Sequence, residues 1–381
     1  MSPDSVPQPL RKDVRAFLAE ELEAGRFEPH CDAWLSEWDE DFTKRMAARG
    51  WIGMTVPPAY GGPGRPAADR YVVVEEMLAA GAPVAAHWVA DRQVAPTLLR
   101  FGTEEQRQHF LPKICAGESY FGIGMSEPDA GSDLAALRTR GERVEGGWKV
   151  YGTKVWTSGA HHAHAFIALC RTSPPQNNQT QPEHRHAGMS QLLVDLRGDG
   201  VTIRPIVSMS GEHHFNEVVM DGAFVPDEMV VGEIGNGWQQ VTAELAFERS
   251  GPERFLSTLP LLRAACAELT RRDPDATTVA ELGALVSRLS ALRRMSLGIA
   301  AALDRGEAPA VRAALVKDAG TRYERQLLEV VRRLLDVTAD PNGAEVERLL
   351  AQSLLHAPGF TLRGGTNEVL RGVVARELGL R

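Results

Sequence analysis

The sequence predicts an α+β chain in three parts: a helical domain over 1–119, an antiparallel β domain over 120–232 and a four-helix-type bundle over 233–381. Three observations predict it. Apolar residues recur at helical spacing through the first part, and short β-rich runs broken by Gly, Pro and Asp fill the middle. From Trp238 the helical period returns and holds to the C-terminus. The 381 residues suffice for two or three domains and a large core.

In the first part Leu10, Val14, Phe17, Leu18 and Leu22 share a helical face, and Gly25 supplies the stop. Glu20, Glu21 and Glu23 read as its solvated side. The stretch Gly61-Gly62-Pro63-Gly64 is a turn, because no nucleotide fingerprint accompanies it. Thr103 and Gln106 make a capping box for a helix that carries Phe110 and Leu111. The pattern changes near Tyr120, and runs 148–156, 165–170, 191–196 and 217–220 read as strands. A polar loop rich in Pro, Gln, Asn and His lies between Ser173 and Gly188. In the last part, breaks at Gly251-Pro252, Asp273-Pro274, 306–309, 340–343 and Pro358-Gly359 divide helices into antiparallel neighbours.

Bulk properties exclude several functions. Apolar residues at 43% and charged ones at 24% give an ordinary soluble balance, while a net charge of −8 argues against a nucleic-acid surface. No apolar stretch reaches bilayer length, so no membrane insertion is expected, and residues 1–8 lack a leader pattern. Cys31, Cys115, Cys170 and Cys266 show no paired spacing, which fits free thiols in a cytoplasmic protein. The sequon Asn178-Gln179-Thr180 then reads as accidental.

Two runs carry the chemistry. Met125-Ser126-Glu127-Pro128-Asp129-Ala130-Gly131-Ser132-Asp133 sets hydroxyls and turn formers at the end of an apolar strand, where freed backbone N–H groups cradle an anion or an electron-rich ring edge. Lys154-Val155-Trp156-Thr157-Ser158-Gly159 ends a second strand. Strand alternation places Trp156 and Ser158 on one face, an aromatic wall beside a hydroxyl that suits a flat heterocycle.

In this order the runs resemble the flavin-binding segments of the acyl-CoA dehydrogenase family. The resemblance extends through Phe101-Gly102-Thr103-Glu104-Glu105-Gln106-Arg107, Leu111-Pro112-Lys113-Ile114 and the tail Gly364-Gly365-Thr366-Asn367-Glu368-Val369-Leu370-Arg371, hence over essentially the whole chain. It implies FAD lying between the β domain and the bundle, with an acyl-CoA thioester against the flavin ring. Carried over by position, Ile123, Met125, Ser126, Gly131, Ser132, Trp156, Thr157 and Ser158 line the flavin, and Thr366 and Glu368 approach it from the tail. Ser132, Arg249 and Gly365 lie against the substrate. The implied partners are an electron-transferring flavoprotein and further subunits, as a homodimer, a homotetramer or an α2β2 hetero-oligomer.

The implied reaction removes a proton next to the thioester carbonyl while hydride leaves the following carbon for flavin N5. It requires a polarised carbonyl and a carboxylate base with a raised pKa. Most members of the family place that glutamate directly before the tail Gly-Thr, but here the position is Gly364, which keeps only a backbone N–H. Relatives of the isovaleryl- and long-chain type use a glutamate in a Glu-Arg pair early in the bundle. The matching residues are Ala246-Phe247-Glu248-Arg249. Val241, Leu245 and Glu248 fall at i, i+4 and i+7, which sets the carboxylate on the apolar stripe. Considered alone, Glu248 reads as a boundary carboxylate paired with a basic group. With Gly364 vacant and the resemblance in hand, Glu248 is the expected base.

Two family segments that hold the adenine half of the flavin have weak counterparts here, Arg271-Arg272-Asp273-Pro274-Asp275 and Leu335-Asp336-Val337-Thr338-Ala339-Asp340. Two arginines near a helix end are more often solvated. The leading expectation is thus an FAD-dependent acyl-CoA dehydrogenase of lipid metabolism. The alternatives are a flavin-poor partner subunit of a hetero-oligomer and an enzyme acting on a carrier-protein thioester. His161, His162, His164, His213 and His214 show no metal-ligand spacing and read as loop residues or acyl-CoA neighbours, so no metal is expected. Met209 with Gly211-Glu212 falls where relatives cover the substrate cavity, although an ordinary loop fits equally.

Overall fold

The computed structural model describes residues 8–173, 185–249, 251–307 and 309–380; the side chains of 244–248 lie outside that description. Most of the predicted polar loop, with its sequon, also lies outside the described residues. Helices come first: α1 (Gln8–Glu23), α2 (Ala33–Ser36), α3 (Glu40–Ala48), α4 (Ala67–Ala80), α5 (Ala85–Val89), α6 (Ala95–Phe101) and α7 (Glu104–Cys115). Strands β1 (Phe121–Gly124), β2 (Arg140–Val144), β3 (Gly147–Lys154), β4 (Ala165–Arg171), β5 (Met189–Asp195), β6 (Val201–Ile206), β7 (Phe215–Pro226) and β8 (Val230–Val231) follow. Then come α8 (Gly237–Glu248), α9 (Leu259–Arg271), α10 (Ala276–Asp304), α11 (Ala310–Leu335), α12 (Glu345–Phe360) and α13 (Asn367–Glu377). The order is helical, β, helical, as the periodicities predict.

The chain divides into two compact units. One holds Trp38–Gly64 and Ala85–Leu245, and therefore the whole sheet. Its strands run in the order β6-β7-β3-β2-β4-β5-β8, with β1 on β4. Pairing is antiparallel except that β1 runs parallel to β4 and β2 meets β4 in parallel at Arg140↔Arg171. Strand β4 is buried on both faces. Phe166, Ala168 and Cys170 join a core with Val150, Leu192 and Val218. Ile167 joins the opposite core, with Phe121, Leu98, Phe110 and Leu111. The helix bearing the last two opens on the predicted capping box: Gln106 N–H donates to Thr103 Oγ1 at 3.2 Å, and Thr103 N–H donates to Gln106 Oε1 at 3.1 Å.

Strands β2 and β6 carry too little apolar alternation to be read in sequence. Strand β6 has no buried residue, and only Gly141 of β2 is buried. The predicted strand at 217–220 is the middle of the twelve-residue β7, the remainder of which mixes Asn, Asp, Gly and Pro.

The other unit holds Met1–Glu37, Arg65–Val84 and Ala246–Arg381 in its described parts. Its α1 and α4 are tied by buried charge: Arg11 donates to Glu75 at 2.6 Å and also pairs with Glu76, and Arg293 of α10 donates to Glu75 at 2.5 Å. The predicted breaks at Gly251-Pro252, 273–274, 306–309 and 340–343 all separate helices. Pro358-Gly359 does not: α12 continues through it to Phe360. Pro358 sits in the last turn, where its missing N–H removes a single bond near an end that frays anyway. Among the described residues all four cysteines are free, and no helix is long and apolar enough to cross a membrane.

Candidate functional site

The second sequence run leaves its strand through a bulge. Lys154 pairs with Val218. The next paired residue is Thr157, which exchanges backbone bonds with Asn216 at 3.0 and 3.1 Å. Val155 and Trp156 therefore oppose Glu217 alone, the two-against-one count of a β-bulge, a device that re-aims a side chain. Trp156 takes a left-handed backbone, φ 62°, uncommon for a bulky residue. The indole is 56% exposed, with Phe215 edge-on at 5.6 Å. The expectation of plain strand alternation is thus corrected: β3 stops at Lys154, and the bulge makes Trp156 and Ser158 accessible around a fully buried Thr157.

The first run is a tight loop. Glu127 and Ala130 exchange backbone bonds of 2.9 and 3.1 Å across Pro128-Asp129. The Glu127 carboxylate turns inward and accepts from Arg138 N–H at 2.6 Å, Thr139 N–H at 3.0 Å and Lys154 Nζ at 2.8 Å. Lys154 is fully buried and also donates to Met125 O at 3.2 Å, while Val155 N–H donates to Ser126 O at 2.9 Å. One buried ion pair and one backbone bond therefore fasten the two runs together. Burial pushes the Glu127 pKa up, but the Lys154 charge and the bonds from Lys154, Thr139 and Arg138 outweigh it and hold the carboxyl below its usual range. Burial is the largest influence on Lys154 and draws its pKa down, against Cys170 and Glu127. Three donors favour the ionised form of the Glu127 carboxylate. Glu127 and Lys154 each lie inside one of the two runs, but neither carries a local sequence signal for this pairing.

Around this junction Ile123, Met125, Ser126 and Ser158 are half-buried, and Gly131 and Ser132 are exposed. A Cβ at Gly131 would meet nothing within 4 Å. Thr157 Oγ1 is buried with no hydrogen-bond partner. An accessible indole, half-buried apolar neighbours and the hydroxyls of Ser126, Ser132 and Ser158 are groups of the kind that take a flavin ring, so the residues present suit that half of FAD. Asp133 accepts from Arg185 Nη2 at 2.8 and 2.7 Å. Beside it a cleft of about 850 Å³ is lined by Arg138, Arg140, Arg143, Arg171 and Arg185.

The histidines stack rather than converge. His161 lies 4.0 Å from both His162 and His213, and His162 stacks on Trp38 at 4.8 Å. Asn216 Nδ2 donates to His161 Nδ1 at 3.0 Å and to Thr157 O at 3.0 Å, while His213 Nε2 donates to Asn216 Oδ1 at 2.8 Å. Burial, then the neighbouring histidines, lowers the His161 pKa to about 4. Among the described residues no group of three His, Cys, Asp or Glu side chains is placed to hold a metal ion. Met209 is 81% exposed.

In the other unit, α12 and α13 are joined by a turn in which Gly364 and Gly365 take φ values of 66° and 88°. A glutamate at 364 would be strained in that conformation. Gly364 O accepts from Arg249 Nε at 3.0 Å, so Arg249 meets the tail through its backbone. Thr366 is the N-cap of α13, accepting from Val369 N–H at 3.3 Å, and its hydroxyl proton can still be donated. Glu368 is exposed in the first turn, where the helix dipole favours an acid. Glu248 is the last residue of α8, and its side chain lies outside the described residues. Arg271 and Arg272 both bind Glu268 at 2.8 Å, and Arg272 also donates to Leu335 O at 2.9 Å. Asp336 ends α11 in a left-handed cap, φ 50°. Neither adenine-segment counterpart has the form of a phosphate cradle.

Comparison with known proteins bears on these sites. Family models described as the acyl-CoA dehydrogenase N-terminal domain and middle domain match residues 7–118 and 122–223. Acyl-CoA dehydrogenase IpdE1 of Mycobacterium tuberculosis is 34% identical over 97% of this chain and 97% of its own length. Acyl-CoA dehydrogenase FadE34 of the same organism is 34% identical over 88% of this chain, which spans only 46% of FadE34. A solved structure, the Tcur3481-Tcur3483 steroid ACAD, superposes with a TM-score of 0.86 at 29% identity, covering 100% of this chain and 99% of that one.

Proposed function

This chain belongs to the acyl-CoA dehydrogenase family, and from that membership we propose that it introduces an α,β double bond into an acyl-CoA thioester with bound FAD. The observation that carries the proposal is the fastened pair of loops, Glu127 on Lys154, beside which Trp156 is exposed and Ser126 and Ser158 are half-buried; in this reading those three residues cradle the ring. Bound by that cradle, the flavin supplies the hydride acceptor. The protein's own residues supply the remainder. Glu248, at the end of α8, takes the proton next to the thioester carbonyl. A base for this step needs a carboxyl whose pKa is raised towards neutrality. The turn at Gly364 offers backbone N–H groups to the carbonyl, polarising it as the proton leaves. The proposed electron acceptor is an electron-transferring flavoprotein, the proposed setting cytoplasmic, and the proposed assembly a homo-oligomer.

One observation favours a second reading, a flavin-poor partner within a hetero-oligomer. The arginines that would reach the adenine half already hold Glu268, and position 364 lacks a carboxylate. The solved relative with the paired designation Tcur3481-Tcur3483 is consistent with that organisation. Purifying the chain alone and titrating it anaerobically with acyl-CoA separates the two. The first reading predicts a yellow protein that bleaches; a colourless protein, or a yellow one that no acyl-CoA bleaches, overturns it.

A further inference from the structure

Helix α11 buries Lys317 completely. Its ammonium donates to Thr361 O at 3.0 Å, Gly365 O at 2.8 Å and Asn367 Oδ1 at 2.8 Å. An ammonium has three N–H donors, so these acceptors match the full set. Asn367 is itself 2% exposed and donates through Nδ2 to Thr321 Oγ1 at 3.2 Å, one turn further along α11. Burying a cation is costly, and a well-packed apolar residue in its place is often neutral or stabilising. Stability alone therefore accounts poorly for a lysine here.

What Lys317 grips is informative. Its acceptors lie at both ends of one short segment, from the residue after α12 to the first residue of α13. That segment contains Gly364 and Gly365, whose left-handed conformations leave several peptide orientations sterically open. In a trans peptide the C=O and N–H point in opposite directions. By drawing Gly365 O to itself, Lys317 turns Thr366 N–H away from α11. Arg249, drawing Gly364 O, turns Gly365 N–H away from its own guanidinium.

We propose that Lys317 is a positioning residue for the dehydrogenation: it fixes the polarity of the Gly364-Gly365-Thr366 turn so that its N–H donors are presented to the acyl thioester. The proposal rests on reading the tail as the substrate-facing segment. Lys317 is fully buried and acts through the two glycines. Without it the turn still closes, because Asn367 N–H donates to Thr361 O at 3.2 Å, but its peptide planes are free to reorient.

The test uses the full-length holoprotein with Lys317→Met, which keeps the side-chain length and removes the donors. Leu327→Ala, also on α11 and fully buried, serves as a control for general loosening. Three quantities are measured: the rate constant of flavin reduction at saturating acyl-CoA, the Kd of the apoprotein for FAD, and the thermal midpoint. Lys317→Met lowers the rate constant roughly 10- to 100-fold, the scale of a reacting-group misplacement near 1 Å. Leu327→Ala lowers the midpoint and leaves rate constant and Kd unchanged. If Lys317→Met does not fold, Lys317→Arg keeps the charge with displaced donors and gives a smaller loss of the same sign. Equal rate constants in the parent and the lysine variants overturn the role of Lys317 alone. A parent that no acyl-CoA reduces overturns the dehydrogenase reading beneath it.

Discussion

Lys154→Met is the most revealing perturbation of the ring cradle. It deletes the charge opposite Glu127, a carboxylate with only 7% of its side chain exposed, and the bond to Met125 O. Breaking a buried pair by removing one partner typically costs ~3–5 kcal/mol, because the remaining charge is left uncompensated. Glu127 would keep its two backbone donors, at Arg138 and Thr139, so the expected cost lies near the lower end, about 3 kcal/mol. The assay is urea unfolding of the apoprotein at pH 7 for the parent, Lys154→Met and the neutral double variant Glu127→Gln/Lys154→Met. The double variant should regain much of the loss, since both charges then leave the interior. The pH dependence has a definite sign. The folded pKa of Glu127 lies below its ordinary 4.5, so the pair stabilises above that pH and the contribution disappears as pH falls through the folded pKa. The gap between parent and Lys154→Met should therefore narrow on acidification. A cost below about 0.5 kcal/mol, the range of ordinary surface substitutions, would refute the claim that this pair fastens the two loops.

Other consequences are equally direct. Glu324 is buried, and burial followed by the Asp32 charge pushes its pKa from 4.5 up to about 8. Its stabilising contribution is complete below pH 4.5 and lost as pH rises through 8, roughly 5 kcal/mol at ~1.4 kcal/mol per pH unit. Denaturation midpoints of the parent should accordingly fall between pH 5 and 9, whereas Glu324→Gln should flatten that slope; parallel profiles would sink the assignment. Trp156→Ala should hardly move the thermal midpoint, because the indole is already 56% exposed. It should weaken FAD binding by about tenfold, the loss of ~1–1.5 kcal/mol of aromatic contact, and fluorescence titration of the apoprotein that finds no weakening would remove Trp156 from the cradle.

The sequence discloses those parts of the molecule whose signals are local. The Thr103–Gln106 box forms as read because both partners lie within one turn. The two runs at 125–133 and 154–159 could be placed as loops after strands, but not joined, since the Glu127–Lys154 bond spans a sequence separation of 27 residues. The bulge at Val155-Trp156 was hidden for another reason. Bulges arise from a register difference with a partner strand, here β7, and no single-strand pattern encodes it. Strands β2 and β6 escaped notice because their exposure removes the apolar alternation. Lys317 escaped because a lysine at a helical core position reads as an outlier until its acceptors, more than forty residues away, are in view. Gly364 shows the opposite case. Its vacancy as a base is plain in the sequence, and the structure adds the φ of 66° that disfavours any side chain there.

In the proposed reaction the chain dehydrogenates an acyl thioester with Glu248 as the base. Anaerobic stopped-flow reduction of the flavin by an acyl-CoA that bleaches the parent, compared with Glu248→Gln, tests it directly. The variant should retain its bound flavin and its acyl-CoA affinity while the rate constant of bleaching falls by a factor of about 100 or more, the usual worth of a general base. Bleaching by Glu248→Gln as fast as by the parent would contradict it.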